Sequence, residues 1–164
     1  MMTSNETSAS VFTGKPSQQL MDELSRKSLV GDFGTRKAED GGIGLTFKVD
    51  GDNVISLWNG SKEFESYGGI VHGGILATIL DDAMVHLLFA HGIITRTGQI
   101  ELRYKNSVRS SEPVEIRASV KKGHRPLFFL EATIRQNGIL CVAANAKLME
   151  AGKGNKSEKN EKHS

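Results

Sequence analysis

The spacing of apolar residues changes period twice along this chain, and each change marks a new kind of element. Pro16-Ser17 followed by QQLMDELSRKSL predicts a short helix, with Ser17 as N-cap and Leu20, Met21, Leu24 and Leu29 on its apolar side. Gly31 to Gly44 is glycine-rich and charged, and is expected to be a loop. Leu45 to Val49 alternates at period two, Asp50-Gly51-Asp52-Asn53 signals a turn, and Val54 to Trp58 returns, so a hairpin is expected. Gly74 to Ala90 then repeats apolar residues at 75, 76, 79, 80, 83, 84, 87 and 88. That is the period of a helix covered on most sides, and Gly92 supplies its stop. Beyond it the period returns to two, in runs at 97–105, 113–122, 127–136 and 139–149, with Asn137-Gly138 a tight-hairpin signal.

A strand meander that buries one face needs an apolar cover, and the central helix is the obvious one. The expected class is α+β: an antiparallel β-sheet wrapped around a long central α-helix. Composition sharpens the boundaries. Hydrophobic residues make up 38% of the 164, and the shortfall sits at the ends. Residues 1–15 and 151–164 are expected to be disordered, leaving one domain over residues 16–150. The tail from 151 holds four lysines and two glutamates, the whole of the net charge of +2, so residues 1–150 are neutral. A neutral domain lacks the basic face that nucleic acid requires. Cys141 is the only cysteine, which excludes an internal disulfide or a cysteine metal cluster, and its apolar run makes it a small buried hydrophobe. With no signal-peptide pattern and no run of about eighteen apolar residues, a soluble cytoplasmic protein is expected.

Chemistry concentrates before and inside the central helix. Tyr67-Gly68-Gly69-Ile70-Val71-His72-Gly73-Gly74 leads into it. Glycines there let something approach the backbone closely, and the free N–H groups of a first helical turn favour an anion or a developing oxyanion. Such glycines also serve plain turns, so the run alone does not choose. Asp81 is the second clue, an acid on an apolar helix with no partner one turn away; an unpaired buried carboxylate is costly. Asp82 points about 100° away, and a surface pair with His86, four residues on, accounts for it. Asp81 lies roughly 10 Å beyond Gly74 along the axis. An oxyanion donor and a base or nucleophile must each lie about 3 Å from the reacting group, so one helix does not easily supply both. If both act, Asp81 of one subunit faces the Gly73 amide of another, and a dimer is expected.

The run from His72-Gly73-Gly74 to Asp81-Asp82-Ala83-Met84 resembles the signature of the hotdog thioesterases of the 4-hydroxybenzoyl-CoA and phenylacetate-pathway (PaaI-like) type. Phe64 to Val71 resembles the family's approach to that motif, and Thr97 to Tyr104 (TGQIELRY) the strand after its helix; the likeness spans residues 43–149. The resemblance implies a hotdog fold and an acyl-CoA or aryl-CoA thioesterase that needs no metal or cofactor. It also implies two hotdogs joined through a shared sheet, as a homodimer or homotetramer. Asp81 then matches the general base or nucleophile, and Gly73 the backbone N–H that polarises the thioester carbonyl. His72 matches the histidine lining the site, and Thr97 a hydroxyl that helps hold the attacking water. Gly74, Glu65, Ser66 and Asp82 are further substrate-contact candidates, as is Arg125 in the basic group Lys121, Lys122 and His124 that suits CoA phosphates. The chain departs from the pattern at Glu65-Ser66, where several members carry Asn or Gln, and at Lys105 to Val108, where many carry proline. His86 and His91 read as solvated or hydrogen-bonded histidines, and Trp58, Phe128 and Phe129 as core. The competing reading is a protein of this fold that binds acyl-CoA without turnover, as a sensor or assembly partner. A buried acid beside a neutral thioester counts against it. The differently spaced His and acid motifs of hotdog dehydratases are not found.

Overall fold

The computed structural model describes residues 11–152, so the disorder expected for residues 1–10 and 153–164 lies outside the described residues. Helix α1 (Gln18–Ser28) begins where Ser17 caps it, its side chain accepting from Leu20 N–H. Met21 is the buried residue of its apolar side, while Leu24 and Leu29 are half-buried. A hairpin of β1 (Lys48–Asp50) and β2 (Asn53–Trp58) follows the loop. It is shorter than expected because Leu45 and Phe47 bury their side chains without joining the ladder. Then come α2 (Gly73–Ala90) and four long strands: β3 (Thr95–Tyr104), β4 (Val114–His124), β5 (Leu127–Gln136) and β6 (Ile139–Glu150).

The six strands form one antiparallel sheet in the order β1-β2-β4-β5-β6-β3. Strand β3 follows the helix in sequence but crosses to the far edge, beside β6. Asn137 and Gly138 both adopt positive φ, at 52° and 76°, which a two-residue hairpin turn requires. The sheet curls around α2, and Leu76, Ile79, Leu80, Ala83, Met84, Leu87 and Leu88 are buried against it. By length and mean hydropathy (1.5) α2 would also suffice to cross a membrane, contrary to the expectation from sequence, but here it is the core of a wrapped sheet.

Two expectations need correction. The domain does not begin at residue 16, because Phe12 stacks on His91 with ring centroids 3.7 Å apart and lies beside Phe128. Phe129 is not core. Register places it between Lys122 and Lys147 on the sheet's outer face, and their ammonium groups lie 5.0 and 5.8 Å from its ring centroid. Period two sends Phe128 inward and its neighbour outward, and the sequence run LFFL did not mark which.

The loop between α1 and β1 is held by buried polar contacts. Trp58 Nε1–H donates to the Ile43 carbonyl at 3.0 Å in the core. Trp58→Phe leaves that carbonyl unpaired, and a stability loss of about 1–3 kcal/mol is expected, read as a lower denaturant midpoint by far-UV circular dichroism with an unchanged native spectrum.

Candidate active site

The approach to α2 is stitched into its surroundings by backbone bonds. Val71 N–H donates to Val108 O at 2.9 Å and His72 N–H to Phe64 O at 2.7 Å, while Glu65 bridges to Val71 and Ile70 to Arg109. These fix where the helix starts. His72 is its N-cap, its ring Nδ1 accepting from Gly74 N–H at 2.9 Å. That bond requires Nδ1 unprotonated, so the ring proton is on Nε2. His72 O accepts from both Ile75 and Leu76 N–H. Among the described residues no group accepts from Gly73 N–H. The helix start therefore offers one free donor, at Gly73, and Gly74 does not share that role because the His72 ring occupies its amide.

Along α2 the less covered stripe runs through Gly74, Thr78, Asp81 and Val85, beside strand β3. Thr97 Oγ1 donates to Asp81 Oδ1 at 2.6 Å, and Tyr104 Oη donates to the Gly73 carbonyl at 2.8 Å. Asp81 thus has a partner that its helix neighbours did not reveal. From Gly73 to Asp81 the helix rises about 12 Å, so a single chain does not bring the free amide and this carboxylate to one atom. Beside Gly73 a cavity of about 350 Å³ is lined by Ser66, Tyr67, Ile70, Tyr104 and Lys105, among others. Ser66 reaches this cavity. Glu65 instead braces the loop: its carboxylate accepts from Ser110 Oγ at 2.5 Å, and that bond, followed by the nearby Gly69 N–H, lowers its pKa. Arg125 lies at the other end of α2, near His91 and Phe12, with its guanidinium 3.5 Å from Glu150.

A family model described as the thioesterase superfamily matches residues 68–143, a span that holds Gly73, Asp81, Thr97 and Tyr104. The architecture recurs in solved structures. The PaaI protein of the Escherichia coli phenylacetic acid degradation operon superposes with a TM-score of 0.67 at 10% identity, over 80% of this chain and 94% of that one. The chain has the hotdog fold. A putative thioesterase of Ralstonia eutropha, related to phenylacetic acid degradation, superposes on this hotdog with a TM-score of 0.64 at 21% identity, over 79% of this chain and 98% of that one. A Streptococcus mutans protein solved bound to acetyl-CoA gives 0.62 at 18% identity, over 68% and 91%. Rat acyl-coenzyme A thioesterase THEM4 is 27% identical over 82 residues, half of this chain and 35% of the rat protein, so the hotdog chain matches about a third of that relative's length.

Asp82 departs from the surface role read for it. In this hotdog it is buried, 9% exposed, and its Oδ2 has no hydrogen-bond partner among the described residues. His86 does not reach its carboxylate. The His86 ring is buried too; Nδ1–H donates to the Asp82 backbone carbonyl at 2.7 Å, and Ser25 Oγ–H meets Nε2 at 3.1 Å. Burial lowers the His86 pKa, so the ring is held neutral. The physical reason is the loop before β1, which the sequence did not place over the helix. A Cβ on Gly34 would fall 1.5 Å from Asp82 Oδ2 and 3.3 Å from Asp32 Oδ2, so only glycine leaves room for that carboxyl. Burial first, then the neighbouring Asp32 and Asp81 charges, push the Asp82 pKa up to about 8. Asp82 is consequently no substrate contact of the Asp81 face.

Tyr104 and Ser110 are the site residues that sequence reasoning missed. Their signal lay in the register between β3 and α2 and in the loop bridges, which no spacing along the chain records. For Asp82 the sign of the pH effect follows from its raised pKa. The folded state keeps its proton where the unfolded chain has lost it, so destabilisation is absent below about pH 4, grows up to about pH 8 and is constant above. Asp82→Asn is expected to stabilise by on the order of 2–4 kcal/mol at pH 8 and by little at pH 4, as measured by urea unfolding at the two pH values.

Proposed function

We propose that this chain is an acyl-CoA thioesterase whose site is built by two copies, the Asp81 carboxylate of one facing the free Gly73 amide of the other. The observation that carries it is the free N–H at the start of α2, about 12 Å along the same helix from a carboxylate held by Thr97. The two groups suit one acyl-transfer reaction yet do not converge within a chain. Strand β3 supplies the surface for a second copy. It is a sheet edge over Thr95–Tyr104, and a long open edge is a template for pairing. Half-buried Ile100 and Leu102 lie on it, and half-buried Ile75 and Val85 lie on α2.

In the reaction, the thioester carbonyl accepts from Gly73 N–H at the positive end of α2. Asp81 either takes a proton from water as that water adds to the carbonyl carbon, or adds to the carbon itself, with water cleaving the resulting anhydride. Thr97 occupies Asp81 Oδ1 and fixes the carboxylate in either route. The negative charge of the tetrahedral intermediate builds next to the Gly73 amide, then the C–S bond breaks and CoA leaves as the thiolate. In the first route the thiolate takes up the proton held by Asp81; in the second it takes one released when water cleaves the anhydride. His72 supports the helix start by accepting from Gly74 N–H. Lys121, Lys122 and Arg125, on and beside the β4–β5 turn, suit the phosphates at the other end of CoA. The THEM4 likeness and the acetyl-CoA-bound neighbour support the substrate class.

Asp81→Asn is expected to keep the fold and lose about 10²–10⁴ in kcat, the range of general-base help. Release of free thiol from a panel of aryl- and fatty acyl-CoAs checks this. Near-normal turnover in the variant, or saturable acyl-CoA binding by the wild type with no thiol release, sinks the reading.

A further inference from the structure

The Gly73–Gly74 peptide unit is gripped at both of its polar ends. Its carbonyl oxygen accepts from Tyr104 Oη at 2.8 Å, and its N–H, on Gly74, donates to His72 Nδ1 at 2.9 Å. The Tyr104 ring also packs on the Gly73 Cα, where a Cβ would lie 3.4 Å from Cε1. A peptide between two glycines rotates with little steric resistance, because neither neighbour has a Cβ to oppose it. Rotation would carry the Gly73 carbonyl oxygen toward the side on which the Gly73 N–H points. An oxyanion binding there would then meet a partial negative charge.

We infer that Tyr104 is a positioning residue, whose hydroxyl locks the Gly73–Gly74 peptide so that the Gly73 amide stays aimed outward as a donor. This rests on the thioesterase reading of the same site and adds to it a residue with no part in the chemistry itself. His72 holds the N–H end through a ring that must stay unprotonated at Nδ1. At the oxygen end Tyr104 adds a grip from a different element to the helix's own bond from Ala77 N–H. Tyr104 closes β3, the strand that also carries Thr97, so one strand reaches both the donor end of α2 and its acid. Tyr104 is 53% exposed, so removal of its hydroxyl leaves the core intact.

The test is Tyr104→Phe in the full chain, read two ways. Hydrogen exchange at the Gly74 amide, followed by nuclear magnetic resonance, is expected to speed up severalfold while Leu80 and Met84 amides in mid-helix keep their protection. Thiol release is expected to show kcat reduced roughly tenfold, short of the 10²–10³ that follows deletion of a whole oxyanion donor, with KM within about twofold. Unchanged Gly74 exchange overturns the inference even if kcat falls, since the hydroxyl then acts on the substrate directly. Faster exchange with unchanged kcat overturns it as well. If the wild type releases no thiol from any acyl-CoA, the thioesterase reading fails by itself, and the exchange arm alone decides whether Tyr104 locks the peptide.

Discussion

Two hydroxyls on one strand hold the two ends of the less covered stripe on α2. Thr97 fixes the Asp81 carboxylate and Tyr104 fixes the first peptide of the helix. Strand β3 can do this because it lies along the helix at the edge of the sheet rather than in its middle. An interior strand would have both neighbours covering this stripe. At the edge, one side pairs with β6 and the other is unpaired among the described residues. The placement of β3 therefore ties together the sheet topology, the orientation of the candidate groups and the proposed pairing of two chains.

The adjacent acids on α2 show how a helix separates chemically identical groups. Successive residues point about 100° apart, which turns Asp81 toward β3 and Asp82 under the loop that carries Asp32 and Gly34. Asp81 is half-buried with a hydroxyl partner, while Asp82 is enclosed with one oxygen unpartnered among the described residues. The enclosed acid has its pKa pushed up to about 8 and holds its proton near neutrality. A second full charge is thus kept away from Asp81. His86, one turn on, is spent on the backbone of Asp82 and on Ser25, which fastens α1 to α2.

Much of this was legible in the residues. The two periods of hydrophobicity separated α2 from the strands, the Asn137-Gly138 turn was explicit, and the glycine run marked the free amide at Gly73. What stayed hidden depended on contacts across elements. Which of Asp81 and Asp82 is enclosed depends on where the loop around Gly34 lies, and a loop rich in glycine and charge carries no periodicity to place it. The Asp82–His86 spacing fitted a surface pair, yet burial turned the bond to the backbone instead. Tyr104 stood in the sequence as the end of an alternating run; only the antiparallel course of β3 along α2 puts its hydroxyl on Gly73. Phe128 and Phe129 were indistinguishable until register sent one inward and the other between two lysines.

Mixing two separately inactive variants tests the two-chain site most directly. Asp81→Asn lacks the acid, and Gly73→Pro lacks the donor N–H at a first helical position that tolerates proline. Refolded together in equal amounts, half of the pairs are mixed and each mixed pair regains one intact site, so about a quarter of wild-type thiol release is predicted for a symmetric dimer. Release that stays at the level of the separate variants, in a mixture shown to form mixed pairs, contradicts a site shared between chains.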